Sequence, residues 1–435
     1  VNDDERARLD AFLRIPSISA LPEHDPDMAR AAAFMEQELQ RAGAETRITH
    51  DGRHPLVHGT VGPRDGRRVI VYGHYDVQPI GAPDLWRSPP FEPVVREGNL
   101  YARGASDDKG NLFMLLVGAQ RLAARGELGV RLDFLIDGEE ESGGTSAERW
   151  LEADPDPAYA AVIFDAPMIA PGRPAFCVGV RGMLYRRVTL RVADHDAHSG
   201  IYGGAALNAA HALHDVIAAV RPRQGRVPAP LAAGVAPPTE QELAAWDELP
   251  SGEQVLAEAG LRPADAGAEG AFYTRTTAEP SVEVHGLAAG EPDAVKTNIP
   301  AEATATLSVR LAPGQDPESV GDALDALLSE AVPPGAEIEI SRHGAASPAV
   351  VDPGHPALAA AADGVEHAVG VRPVPVRTGG SIPIIAAFGS KGIPVVLTGF
   401  GLPDDGIHGP NEHIRVEHLS LGARAAMGMF RALAA

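Results

Sequence analysis

RRVIVYGHYDV, residues 67 to 77, opens on an apolar, β-branched run and closes on the histidine and aspartate of a polar turn. An apolar run without alternation reads as a strand buried on both faces, the kind found in parallel sheets. VRLDFLID at 130 to 137 and AAVIF at 160 to 164 have the same texture. NLFMLLVGAQRLAAR at 111 to 125 lies between the first two and reads as a helix, so the order is strand, helix, strand. Upstream, MARAAAFMEQELQRA at 28 to 42 sets Met28, Ala32, Met35 and Leu39 on one helical face, with Gly43 as its stop. The fold class expected is α/β, a mixed and largely parallel sheet with helices on both faces.

Further along the chain the texture changes near residue 184. LYRRVTLRV and ATATLSVRL are alternating strands, and helices are expected at 205 to 220 and 317 to 330. We read residues 181–347 as a smaller α+β domain inserted into a discontinuous first domain of residues 1–180 and 348–435. Residues 221 to 280, rich in Pro, Gly, Ala and acidic residues, are expected to be an irregular excursion within the insert. The helix PALAAAADGVEHAV, the strand GIPVVLTGF and a final helix from Glu417 return the chain to the first domain. A length of 435 residues against a usual ~150 per domain agrees with two domains.

Composition excludes several function classes. Lys+Arg 37 against Asp+Glu 59 gives a net charge of -22, a surface that repels phosphate backbones, so nucleic acid is not an expected partner. No apolar run approaches the ~20 residues of a membrane-spanning helix. The single cysteine, Cys177, permits no internal disulfide and reads as a small buried apolar residue. With charge where a signal peptide needs an apolar core, the N-terminus points to the cytoplasm. GSKG at 389 to 392 lacks the spacing of a phosphate loop.

Candidate metal ligands gather where the strands end. His74 and Asp76 follow VIVYG, Asp107 and Asp108 lie in RGASDDKG, Glu139 to Glu141 follow FLIDG, Asp165 follows AVIF, and His408 follows VVLTGF. In open α/β sheets the carboxyl ends of the strands form the ligand crevice, so these segments should converge. Asp107, Glu141 and Asp165 together carry a charge of -3 that cations would neutralise. Histidine with carboxylate suits zinc, manganese or cobalt better than calcium. A carboxylate shared by two ions about 3.5–4 Å apart is the arrangement that activates a water for hydrolysis, and Glu140 would remain free as general base. Alternation alone cannot say which of the three glutamates is the base.

The motifs GHYDVQP at 73 to 79, RGASDDKG at 103 to 110, EEESGG at 139 to 144, DAHSGIYGG at 196 to 204, KTNIPAEA at 296 to 303, GGSIPI at 379 to 384 and GIHGPNEH at 406 to 413 follow one another in the order of a known family. The chain resembles the M20 family of dinuclear metallopeptidases, in its carnosinase-like dipeptidase branch, nearly end to end. The resemblance implies His74 and Asp165 as terminal ligands of one ion, Glu141 and His408 of the other, Asp107 as the bridge and Glu140 as general base. Asp76 would orient the His74 imidazole or the base, and the Asp107–Asp108 peptide would be cis. His198 is implied to reach a partner subunit's active site and stabilise the oxyanion, which implies a homodimer through a lid domain. Arg310 and Thr297 resemble lid residues that hold the substrate, Arg310 by its terminal carboxylate, and Gly380 and Ser381 could add donors.

The reading is therefore a metal-dependent hydrolase that cleaves the amide bond of dipeptides with two divalent ions per subunit, zinc first and manganese or cobalt next. The alternatives are an N-acyl amino acid deacylase of the same family and, from another class, a noncatalytic metal-binding protein with the same fold. The pair His195 and His198 does not read as a metal site of its own, since a structural zinc site wants four converging ligands. His50, His54 and His58 read as solvated side chains, and Glu139 as the bystander of its run.

Overall fold

Val69, Ile70 and Val71 are fully buried, and the strand they form, Arg68–His74, is buried at every position. The computed structural model describes residues 1–435 except Pro292, Ala294, Val295, Pro353 and Ser381, together with the side chains of Gln241 and Pro383. Strands Arg131–Asp137 and Ala160–Phe164 flank Arg68–His74 in parallel, and Val395–Thr398 pairs in parallel with Ala160–Phe164. Outside this parallel centre, Glu45–Thr49 and Leu56–Val61 join antiparallel at one side and Ala175–Val180 at the other. The sheet is thus mixed, with its four central strands pointing one way. Each of those four carries an unbroken apolar stretch because each is covered on both faces.

The chain divides into two compact units. The first comprises Val1–Val178, Val351–Val376 and Ala387–Ala435, and it holds the mixed sheet. Helix Asp25–Arg41 buries Met28, Ala32, Met35 and Leu39, and Gly43 after it adopts φ +81° as the stop requires. Helix Lys109–Ala124 packs on the last helix, Val416–Leu433, which in turn packs on Pro356–Val369. Gly364 and Gly428 meet at that last contact, where a Cβ on Gly364 would lie 2.4 Å from the Gly428 carbonyl oxygen.

The second unit comprises Gly179–Val350 and Arg377–Ala386. Its antiparallel sheet runs in the order Ser281–Ala289, Glu302–Leu311, Gly182–Arg191, Glu337–Ala346. Strand Gly182–Arg191 alternates buried and less buried residues, and its inward face packs with helices Ala209–Val220 and Pro317–Glu330. Residues 377–386, which include Gly380, cluster with this unit, whereas the sequence grouped them with the first domain.

The stretch 221–280 is not the irregular excursion expected from its composition. It contains helices Glu240–Trp246 and Gly252–Glu258. Thr239 and Glu242 form a reciprocal capping box on the first, and the Ser251 side chain caps the second. The helix Asp3–Leu13, capped by Asn2 and Glu5, was likewise not among the expected elements. Among the described residues no helix is long and apolar enough to cross a membrane.

Candidate metal centre

The site is built in the first unit from the carboxyl ends of the four parallel strands and the start of helix Lys109–Ala124. His74 is the last residue of Arg68–His74, and Asp165 directly follows Ala160–Phe164. Glu140 and Glu141 begin a short turn, Glu140–Ser142, just after Arg131–Asp137. Asp107 immediately precedes Asp108, the N-cap of helix Lys109–Ala124, and their peptide bond is cis. His408 lies in the loop after Val395–Thr398 with φ +61°.

These residues fall into two overlapping donor sets, His74 with Asp107 and Asp165, and Asp107 with Glu141 and His408. Within each set the candidate ligand atoms lie within 4.8 Å of one another. Asp107 serves both with different oxygens: Oδ1 is 3.3 Å from His74 Nε2 and Oδ2 is 2.9 Å from His408 Nε2. His408 Nε2 is also 3.4 Å from Glu141 Oε2. Two donors bonded at ~2.1 Å to one tetrahedral ion stand roughly 3.4 Å apart, so these separations suit a shared cation. A small cavity of about 80 Å³ opens beside Asp107 and Asp165.

Electrostatics favour positive charge here. Burial pushes the Asp165 and Glu141 carboxyls above their usual range, and the neighbouring Asp107 adds to this. Burial also pushes Asp107 up, but the His408 and His74 imidazoles beside its two oxygens more than reverse this and hold it below the ordinary value. His408 is raised first by Asp107, against the effect of burial. Glu140 is raised by burial and by Asp76 and Asp107, with His74 and His408 opposing. Carboxyl groups crowded in this way are the ones a divalent cation converts to ligands.

Buried atoms without hydrogen-bond partners point the same way. His74 Nε2 and Glu141 Oε1 are both orphaned, a costly condition unless something else is bound there. The other ring nitrogen, His74 Nδ1, lies 3.1 Å from the Asp76 carbonyl oxygen. Donation at Nδ1 leaves the Nε2 lone pair facing the donor set. The residues present therefore fit two divalent cations.

Supporting groups surround these residues, and two of them, Ser19 and Gln78, escaped the sequence reading. Asp76 lies behind His74, with Oδ1 3.4 Å from Nδ1, while its Oδ2 accepts from Ser19 Oγ at 2.6 Å and from the Glu141 N–H at 3.0 Å. Gln78 Nε2 donates to Glu141 Oε2 at 2.8 Å. Asp108 Oδ2 accepts the His74 N–H at 3.2 Å, and a Cβ on Gly73 would come within 2.9 Å of that oxygen, so only glycine allows the approach. Ser19 and Gln78 carried no ligand chemistry of their own, and only spatial proximity exposes them. Glu139 stays outside both donor sets, and one minor expectation, that the nearby histidines are solvated, fails. Glu139 is buried and accepts the N–H groups of Arg53 and His54, and His54 is itself buried, with Nε2 2.9 Å from the Ser19 carbonyl oxygen. Burial also lowers the half-buried His58 to about 4.

The remaining candidates belong to the second unit and are not part of the donor cluster. His198 is exposed and its Nδ1 accepts the Gly200 N–H at 3.0 Å. Thr297 is exposed, and its carbonyl accepts the Ser199 N–H. Arg310 is half-buried near the end of strand Glu302–Leu311. Gly380 is exposed, and its carbonyl accepts the Arg181 N–H at 3.1 Å. Arg181 also donates to the Gly379 carbonyl and to Ser281 Oγ. Ser381 lies outside the described residues.

A sequence profile of Peptidase family M20/M25/M40 matches residues 70–432. The chain belongs to this family. Among its relatives, the cysteinylglycine-S-conjugate dipeptidase of Corynebacterium striatum is 28% identical over 424 residues, covering 92% of this chain and 90% of the relative. The Beta-Ala-His dipeptidase of Homo sapiens is 28% identical over 432 residues, covering 92% of this chain and 83% of the relative. The crystal structure of an M20 family metallo-carboxypeptidase, Sso-CP2 from Sulfolobus solfataricus, superposes with a TM-score of 0.89 at 26% identity and covers 99% of both chains. This M20 peptidase is therefore an enzyme of the peptidase class, with a candidate metal centre in its larger unit.

Proposed function

We propose that the protein is a metallodipeptidase that holds two divalent cations, zinc first and manganese or cobalt next, in the donor sets joined by Asp107. The observation that carries this reading is the bridging placement of the Asp107 carboxylate, one oxygen to each set. Family membership supplies the reaction class, and the relatives named as dipeptidases supply the substrate class.

Cations bound there would polarise the scissile carbonyl and acidify water. Glu140 is the base: its carboxylate accepts a proton from the attacking water and returns it to the leaving amine nitrogen as the C–N bond breaks and the new C–O bond is complete. Asp76 holds His74 and Gln78 holds Glu141 in orientation. His198 is assigned to a partner subunit's carbonyl oxygen. Its Nδ1 already accepts a backbone N–H, so the neutral ring carries its proton on Nε2, as a donor to an oxyanion must. Arg310 is assigned to the substrate carboxylate, and Thr297, Gly380 and Ser381 are assigned as further substrate-binding residues. Homodimerisation through a lid formed by the second unit is supported by Ile201 and Tyr202, 72% and 53% exposed just beyond His198. A lone buried cysteine supports a cytoplasmic setting.

The test is hydrolysis of a dipeptide panel, including Cys-Gly and β-Ala-His, beside N-acetyl amino acids and tripeptides, by protein stripped of metal and then given zinc, manganese or cobalt. Metal-dependent cleavage of dipeptides is expected. Cleavage of acetylated substrates alone would move the protein to the deacylase reading, cleavage of tripeptides alone would make it a tripeptidase, and bound metal without turnover would make it a noncatalytic binder.

A further inference from the structure

His74 is fixed by its strand and is 1% exposed, but His408 sits in a loop with its side chain 54% exposed and has little packing of its own. What holds it lies at the two ends of that loop. At one end, Glu412 is completely buried, and its carboxylate is saturated by donors from a single distant segment. Oε2 accepts Arg103 Nη1 at 2.7 Å and the Gly104 N–H at 3.0 Å. Oε1 accepts the N–H groups of Ser106 and Asp107, both at 3.0 Å. The Glu412 carbonyl accepts the Ala102 N–H at 3.1 Å.

At the other end, the buried Asp405 accepts Ser106 Oγ at 2.8 Å and the Leu402 N–H at 2.9 Å on one oxygen. The His413 N–H closes the loop onto the Asp405 carbonyl at 2.9 Å. Arg103, 1% exposed, is itself held by the Pro79 carbonyl at 3.0 Å and lies over the Trp86 ring. A buried carboxylate is tolerated only when its lone pairs are filled, and here four donors fill them. All four come from residues 103 to 107, the segment that presents Asp107.

We infer that Glu412, with Asp405 as its companion, is a positioning residue that ties the loop of His408 to the segment of Asp107 and so sets the geometry of the second donor set. This rests on the donor-set reading above. The set with His74 depends on the clamp less, because Asp107 is also tied there through Asp108, whose carboxylate accepts the His74 N–H. Losing Glu412 therefore loosens His408 relative to Asp107 more than it loosens Asp107 relative to His74.

The experiment is titration of metal-stripped protein with Zn²⁺ against a competing chelator, with thermal melting in parallel. Wild type should bind two equivalents. Glu412→Gln keeps the shape but turns an NH₂ toward the N–H donors. It should weaken one binding event about 10–100-fold, in the range of losing an outer partner of a metal ligand. That event should be the one removed by His408→Ala and retained in Asp165→Asn, with the other event within twofold of wild type. Two unchanged events, or equal weakening of both with a lowered melting temperature, would overturn the clamp. Should Glu412→Gln not fold, Arg103→Lys keeps the charge and loses the forked geometry. Selective weakening in that variant supports the inference, and equal or no weakening overturns it. A wild-type protein that binds fewer than two ions overturns the donor-set reading and the clamp with it.

Discussion

Asp76→Asn tests whether the carboxylate behind His74 contributes to metal affinity. Its Oδ2 takes two donors, Ser19 Oγ at 2.6 Å and the Glu141 N–H at 3.0 Å, while Oδ1 faces His74 Nδ1 at 3.4 Å. Asparagine preserves the shape but offers one acceptor oxygen. That oxygen should stay on the side with two donors, which turns the amide NH₂ toward the N–H of His74. The ring N–H already goes to the Asp76 carbonyl oxygen, so what is lost is the carboxylate charge beside it, an outer partner of a metal ligand worth about 1.4–2.8 kcal/mol. At ~1.4 kcal/mol per factor of ten this is roughly 10–100-fold in affinity, and it falls on the set that contains His74. The assay is chelator-competition titration of the metal-stripped variant beside wild type. Both affinities within twofold of wild type would refute the assigned role, as would equal loss at both sites.

Three further outcomes follow from the same geometry. Glu140→Gln should bind both ions with near-native affinity while kcat falls about 10²–10⁴-fold, and an unchanged kcat would remove Glu140 as the base. His198→Ala should fold and bind metal normally but lose about 10²–10³-fold in kcat on dipeptides, whereas full activity in steady-state assays would end the partner-histidine assignment. In the second unit, Glu242 and Arg377 form a buried, two-point ion pair at 2.5 and 2.9 Å, so Glu242→Gln should cost about 3–5 kcal/mol by urea unfolding. Burial raises the Glu242 carboxyl, but Arg377 and Thr239 outweigh this and hold it below its usual value. Its stabilisation is therefore complete above the unfolded carboxylate value of ~4.3 and is lost as pH falls through the folded value, so the stabilities of wild type and of the Glu242→Gln variant should converge in acid.

The parallel centre of the sheet was legible because Arg68–His74, Arg131–Asp137 and Ala160–Phe164 must be apolar on both faces. His74, Glu141 and Asp165 were legible because they stand at or just after those strands, while Asp107 at the start of a helix and His408 in a loop were legible through their motifs and their chemically narrow residue types. Helices Glu240–Trp246 and Gly252–Glu258 were hidden by the Pro, Gly and Ala around them, although Thr239-x-x-Glu242 and Ser251-x-x-Gln254 were available as start signals. Glu412 and Asp405 were illegible for a different reason. A carboxylate in a polar loop looks solvated, and its partners at 103 to 107 lie some three hundred positions away. Ser19 likewise declares its purpose only once it is beside Asp76.

The strand Val395–Thr398 lies between Ala160–Phe164 and Ala175–Val180, in the interior of the sheet. A chain leaves the ribosome N-terminus first. The nascent protein must therefore display the flank of Ala160–Phe164, with its unpaired backbone groups, while residues 165 to 394 are still being translated. The same delay separates His74 from His408, so a nascent chain can offer the first donor set long before the second. Metal capture would then be ordered in time, and a stalled or truncated chain would expose a sticky edge at its centre, where chaperones would be most needed.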